Sequence, residues 1–195
     1  MPGIQIGLKD LHYRRITDDT SSGVTYNSEN SGKPISVPGI INAKITPSSN
    51  TVTLYADDGP DEVASALGEI TLELTVKDLD LATQAALLGH TLATGVLTKN
   101  ADDVAPYVAI GFKSLKSNGK YRYTWLYKGK FNLPEQNYKT KEENLEYQPP
   151  TITGVFVKRV WDDAWQAIVD EEELSTTPEI DLTKWFDTVY VPNLP

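Results

Sequence analysis

Four carboxylates fall within six residues in the stretch LYADDGPDE, where Asp57, Asp58, Asp61 and Glu62 surround a Gly59-Pro60 step. Oxygen ligands at this density are what a hard cation needs, but a calcium loop wants ligands at positions 1, 3 and 5, Gly at 6 and Glu at 12. Counted from Asp57, position 3 is Gly59 and position 12 is Gly68, so the spacing does not build that site. Asp-Asp-Gly-Pro is good turn chemistry, and a polar loop, free or making a protein contact, is the better reading. The two histidines, His12 and His90, have no serine or aspartate partner in a recognisable motif, and no GxSxG, HExxH, Walker or GxGxxG pattern occurs. A glycosidase-type pair of carboxylates comes together only on folding, and among 27 acids its occurrence carries no information. The absence of cysteine removes disulfides, thiolate metal sites and a cysteine nucleophile. No catalytic residue, cofactor site or metal site is therefore expected.

The elements that would position any such residues are mostly of period two. A chain of 195 residues, 39% hydrophobic and 23% charged, suits one domain, residues 1–195, with a real core. Glu69–Lys77 alternates cleanly: Ile70, Leu72, Leu74 and Val76 point one way, and Thr71, Glu73, Thr75 and Lys77 the other. Upstream, IINAKI and NTVTLYA read as β-rich stretches flanking a turn-like TPSS, with residues 55–67 as a long acidic loop; residues 17–39 read as an extended arm rich in Ser, Thr, Asn and Gly. The one strong helix signal is LDLATQAALLG, with Asp80 as N-cap, a Leu81/Ala85/Leu88 stripe and Gly89 as terminator. Thr151–Val160 and Trp165–Val169 read as strands joined at Asp162-Asp163, and TPEIDLTKWFDTVY as a short helix. Together these predict a mainly β fold: two packed sheets, sandwich or barrel-like, with one flanking helix.

Asn118-Gly119 predicts a two-residue type I′ hairpin. Placing Ser117 opposite Lys120 pairs Phe112 with Trp125, Ile110 with Tyr127 and Ser114 with Tyr123. The alternating aromatics Tyr121, Tyr123, Trp125 and Tyr127 would stack sugars or bases if exposed, but this register sets them beside Ile110 and Phe112, which favours a core role. Lys113, Arg122, Lys128 and Lys130 would form a basic opposite face.

Charge is unevenly spread. Of the net −9, residues 161–195 hold nine acids against Lys184 alone, whereas Pro106–Phe131 has six basic residues and no acid. Opposite charge in two segments of one chain suggests complementary contacts between copies. The N-terminal region has neither the charged start nor the apolar run of a secretory signal, and no segment is apolar enough for a membrane span, so the chain reads as soluble and outside the membrane.

The blocks GLKDLHYRRIT, NTVTLYADDGP, ALGEITLELTVKDL and APYVAIGFKSLKSNGKYRYTWLYKGKF, in this order, resemble the major tail protein, or tail-tube subunit, of long-tailed, non-contractile bacteriophages. The likeness runs from about Ile6 to Arg159 and fades in the acidic C-terminal segment. It implies a structural virion protein made in the host bacterial cytoplasm, not an enzyme, whose hexameric rings stack into the conduit for genome delivery. Implied partners are further copies of itself, a tape-measure protein, and tail initiator and terminator proteins, with phage DNA passing through without specific binding. By the same resemblance a long loop reaches the adjacent ring; here that loop is Tyr55 to Leu67, and Tyr55, Asp57, Asp58, Gly59, Pro60, Asp61 and Glu62 are the candidate contacts within it. Thr71, Glu73 and Thr75 are then expected to face the lumen, and Lys113, Arg122, Lys128 and Lys130 to face away, toward a neighbouring subunit. The alternative class is a β-sandwich module that binds carbohydrate through exposed aromatics.

Overall fold

The computed structural model describes residues 3–56, 59–140, 147–174 and 180–192. Along the chain run β1 (Gln5–Thr20), β2 (Gly23–Tyr26), β3 (Ile35–Val37), β4 (Ile40–Ala56), β5 (Gly59–Val76), α1 (Leu81–Leu88), β6 (Thr91–Ala93), β7 (Val96–Thr98), β8 (Val108–Lys116), β9 (Tyr121–Phe131), β10 (Thr151–Val157) and β11 (Gln166–Asp170). The fold is mainly β with a single α-helix among the described residues, as the period-two pattern requires. One antiparallel sheet has the order β2-β1-β8-β9-β10-β5-β4, with β3 added beside β1 and β11 beside β9; β6 and β7 form a separate two-stranded sheet. The large sheet curls until β1 and β4, distant in strand order, approach each other.

Inside the curl lies the main core. Ile70, Leu72, Leu74 and Val76 of β5 are buried there, as their alternation predicts, with Leu11 and Tyr13 of β1, Ile110 and Phe112 of β8, Leu126 of β9, and Phe156 of β10. Helix α1 closes one end with Leu87 and Leu88. Its caps are those the sequence names: the Asp80 carboxylate accepts the Thr83 N–H, and Gly89 ends the helix at φ 76°. The buried stripe, however, is Thr83, Leu87 and Leu88, and Leu81 is 44% exposed. An eight-residue helix makes barely two turns, so a small rotation on the sheet decides which leucine is covered.

A second core sits on the other face of β8–β9. Ala109, Tyr123, Trp125 and Tyr127 are covered by residues 180–190, which bring Trp185, Phe186, Val189 and Tyr190 over them. This segment makes one 3-10 turn, Leu182–Lys184, capped by Asp181, in place of the expected helix. The second core exists because the β8–β9 turn differs from the two-residue reading. Lys116 N–H donates to Lys120 O at 2.8 Å, Gly119 N–H to Lys116 O at 3.0 Å, and only Gly119 of the loop has positive φ, 79°. That is a three-residue loop, Ser117–Gly119, closing on Gly in the left-handed region. The register moves by one: Gly111 faces Trp125, Phe112 faces Thr124 and Ile110 faces Leu126. A one-residue slip transfers every side chain of one strand to the opposite face, so the aromatics and Ile110/Phe112 part company. Both sets are buried, against different cores.

Three further expectations change. Residues 17–39 are no free arm: β2 pairs with the end of β1, and β3 pairs with its middle. TPSS is not a turn but part of continuous β4, an edge strand, and edge strands are where proline is tolerated in a sheet. Ser48 instead meets a bulge in β5, donating from Oγ to Glu69 O at 2.9 Å. The long acidic loop is largely strand, since Tyr55 pairs with Pro60 and Leu54 with Glu62; Asp57 and Asp58 lie outside the described residues. The two strands expected after residue 150 are present as β10 and β11, which add in succession along β9.

Close packing makes two glycines testable. A Cβ on Gly111 would lie 2.7 Å from the Trp125 ring, and one on Gly129 2.4 Å from the Phe156 ring. Gly111→Ala and Gly129→Ala are each expected to cost about 1–3 kcal/mol by overpacking, seen as a lower urea midpoint at unchanged slope.

Candidate functional site

Beyond Ser49 and Leu67, β4 and β5 leave the rest of the sheet and continue as a two-stranded ribbon. Eight residues of strand, Ser49 to Ala56, carry it about 25 Å from the body. Alternation along the register sets Val52, Leu54, Ala64 and Ala66 on one face, and Val63 and Leu67 on the other. Both faces are open: Tyr55 is 71% exposed, and Val52, Leu54 and Val63 are comparably bare. A lone two-stranded ribbon is marginally stable in water, and an edge strand bearing apolar side chains is a template for pairing with another chain. Of the residues expected to make an inter-ring contact, Tyr55, Asp61 and Glu62 are exposed on this ribbon and Gly59 is half-buried.

At the root of the ribbon the sheet turns a polar face outward. Thr71, Glu73 and Thr75 of β5 lie on it as expected, with Lys44 directly across from Glu73 on β4, and Thr153 across from it on β10. Thr75 and Thr151 share a hydroxyl hydrogen bond of 3.0 Å. The same register brings Lys130 and Lys128 onto this face, through Val155 and Val157 of β10. The expected separation of a lumen side from a basic side therefore fails for these two lysines: both sets share one mixed-charge surface.

No family model matches this chain, and no curated protein matches it either. Its geometry must speak for itself.

The basic residues of β8 and β9 do meet the acidic C-terminal segment, but within one chain. Asp170 accepts from Arg122 Nε and Nη2 at 2.6 Å each, and also from Lys116 Nζ at 3.0 Å. Lys116 is 3% exposed and also binds Glu172; Lys120 binds Glu171 at 3.0 Å. Three consecutive acids thus clasp the hairpin end. Lys113 pairs with Asp10 and Lys128 with Asp19, each at 2.6 Å, while Lys130 lies over the Tyr107 ring at 4.5 Å. Carboxylates of the chain itself therefore already occupy Lys113, Arg122 and Lys128: β1 supplies Asp10 and Asp19 to the two lysines, and β11, paired with β9, delivers Asp170 to Arg122. The hydrogen bonds from Arg122 hold the Asp170 carboxyl down at about 2, and the Lys116 ammonium holds Glu172 low and is itself raised by the pair of acids.

Histidine chemistry takes a form the motifs did not signal. His90 Nδ1 lies 2.6 Å from Asp103 Oδ2, and the same oxygen accepts the Asn100 N–H at 2.9 Å. Nothing in the spacing marks this pair, since the strands of the small sheet intervene. The His90 Nε2 that a general base would offer to a substrate is buried, so the pair ties the end of α1 to residues 100–103 and presents no base to solvent. His12 stacks on Phe186 at 4.5 Å and seals the second core, and burial lowers its pKa. No described helix is long and apolar enough to cross a membrane.

The clasp generates a pH test. The folded value of Asp170 lies below its unfolded 3.8, so its stabilisation is complete above that pH and is lost as pH falls toward about 2. Asp170→Asn, which leaves Lys116 and Arg122 short of a partner, is expected to cost about 3 kcal/mol at neutral pH and to flatten the loss of stability below pH 4. Urea unfolding of both proteins at pH 7 and pH 3 measures this.

Proposed function

We propose that this chain is a structural subunit that polymerises through its β4–β5 ribbon, as a tail-tube protein of a long-tailed phage does when hexameric rings stack into a hollow conduit. The carrying observation is the ribbon itself, a long pair of strands bearing exposed apolar side chains on both faces, with nothing else packed on it among the described residues. A contact between the ribbon and a different surface of the next copy is heterologous, so it repeats as a ring or stack and does not stop at a dimer. The open edge of β4 offers backbone groups for the same purpose. On this reading the polar face around Thr71, Glu73 and Thr75 lines the channel. Glu73 offsets Lys44 there and Asp19 offsets Lys128, leaving Lys130 over the Tyr107 ring, which limits the counterion-release attraction that would hold DNA in place. The subunit then has no catalytic step of its own and belongs to the virion tail. Sugar binding through the β9 aromatics finds no support, because Trp125 and Tyr127 are 0% and 1% exposed.

Replacing residues 50–66 with a short Asn-Gly turn is the direct test. Wild-type protein, seeded with tail initiator or at high concentration, is expected to give rings or tubes by negative-stain microscopy. The shortened chain should stay dispersed with an unchanged melting temperature, since the ribbon adds nothing to the core. Tubes from the shortened chain, indistinguishable from wild type, would falsify the ribbon as the assembly element. In assembled tubes, Glu73→Lys is expected to slow DNA release at low salt and to have less effect at high salt, where phosphate contacts are screened.

A further inference from the structure

We propose that Asn118 is a gated modification site: its side-chain amide is kept from hydrolysis by the Asp170–Glu172 clasp, and its conversion to a carboxylate releases that clasp. This inference stands apart from the assembly reading and does not rest on it.

An Asn followed by Gly is the dipeptide most open to internal attack, because Gly119 has no side chain to shield its backbone nitrogen. In the reaction the Gly119 nitrogen gives up its proton to water or hydroxide and forms a bond to Asn118 Cγ. The Cγ–Nδ2 bond breaks and ammonia leaves. Water then opens the five-membered imide on one side or the other, giving an aspartate or an isoaspartate. Water enters and ammonia departs, with no oxidant or reductant needed.

Every atom of that reaction is restrained in the folded chain. The attacking nitrogen is engaged, donating its hydrogen to Lys116 O at 3.0 Å. Oδ1 accepts the Lys120 N–H at 3.1 Å, and Nδ2 donates to Glu172 Oε2. From the far side Gly3 presses so close that a Cβ there would lie 2.8 Å from Asn118 Cγ, leaving little room for ring closure. Glu172 is not a loose surface acid, since the buried Lys116 holds it together with Asp170. Asn118 is nevertheless exposed, so water is at hand once these restraints open.

The product acts back on the gate. An aspartate at this position cannot donate to Glu172, and it sets a second carboxylate against the first, beside Glu171. Like charges in contact disfavour each other, so Glu172 is driven off Lys116 and the clasp loosens. Glu171 exchanges two hydrogen bonds with the Tyr121 backbone, each of 3.0 Å, and the Glu173 N–H donates to Asp170 O at 3.0 Å, so the modification is read out at these backbone groups.

The test is to age the full chain at mildly alkaline pH and follow Asn118 by peptide mass spectrometry, folded and in urea. The folded chain is expected to react at least about tenfold more slowly than the unfolded one, as protection by local structure requires. Glu172→Ala, verified as folded by its tryptophan fluorescence, is expected to react at least about threefold faster than wild type. Should that variant not fold, Glu172→Gln keeps the side-chain size while weakening its hold on Lys116, and the same increase is expected. Equal rates in the folded and unfolded chains, or a folded Glu172 variant no faster than wild type, overturn the gating. For the release, Asn118→Asp is expected to lose hydrogen-exchange protection at the amides of residues 121, 171 and 173, whereas Asn118→Ser keeps it. Wild-type protection in Asn118→Asp overturns that half of the proposal.

Discussion

Trp125 pressed against Gly111 across β8 and β9 is the contact on which the rest of the molecule turns. It needs a strand partner with no side chain, and only one register of the hairpin supplies one. Once that register is set, Ile110, Phe112 and Leu126 must face into the curl, and Tyr123, Trp125 and Tyr127 must face out of it. An outward row of large aromatics cannot be left in water, so a cover is required. The chain provides it from its own C-terminal segment, with Trp185 and Phe186 as the main pieces. The cover is held by the Trp125 indole N–H, which donates to Trp185 O at 3.3 Å, by the stacking of His12 on Phe186 and by the Lys33–Asp187 ion pair, while the clasp of Asp170, Glu171 and Glu172 on Lys116, Lys120 and Arg122 fixes the end of β11 to the hairpin.

This chain of dependence explains why the charge asymmetry of the sequence is spent internally. A basic hairpin and an acidic C-terminal segment look, in one dimension, like the two halves of a contact between molecules. In three dimensions β11 pairs with β9 and lays the acids along the basic strand directly. What is left for partners is the opposite kind of surface: a ribbon with no ion pairs among its described residues, apolar side chains on both faces, and an unprotected backbone edge. Self-association would therefore rest on strand pairing and apolar burial at the ribbon, with charge in a secondary role.

Much of the body was legible in the residues. Alternation in Glu69–Lys77 determined that a strand forms there and which side chains it buries, because a period of two allows only one apolar face. Asp80 and Gly89 determined where the helix begins and ends, because capping is local chemistry. The aromatics of β9 were rightly placed in a core, though not in the core they occupy. Composition misled where local chemistry had two outlets: Pro47 and its serines read as a turn, yet an edge strand accepts them; Ser, Thr and Asn in residues 17–39 read as loose chain, yet they form strands once β1 offers a pairing edge.

What the sequence determined by itself, then, was element type and the buried face wherever a single period or cap decided the matter. Tertiary structure alone decided the hairpin register, the existence of a second core, the internal pairing of Lys116, Arg122 and Asp170, and the meeting of His90 with Asp103. The physical reason is common to all four. Asn-Gly permits both a two-residue and a three-residue loop at similar local cost, and a side-chain pair 13 or more positions apart has no local signature. Such choices are made by packing both faces of one sheet at once, and no window of sequence contains both faces.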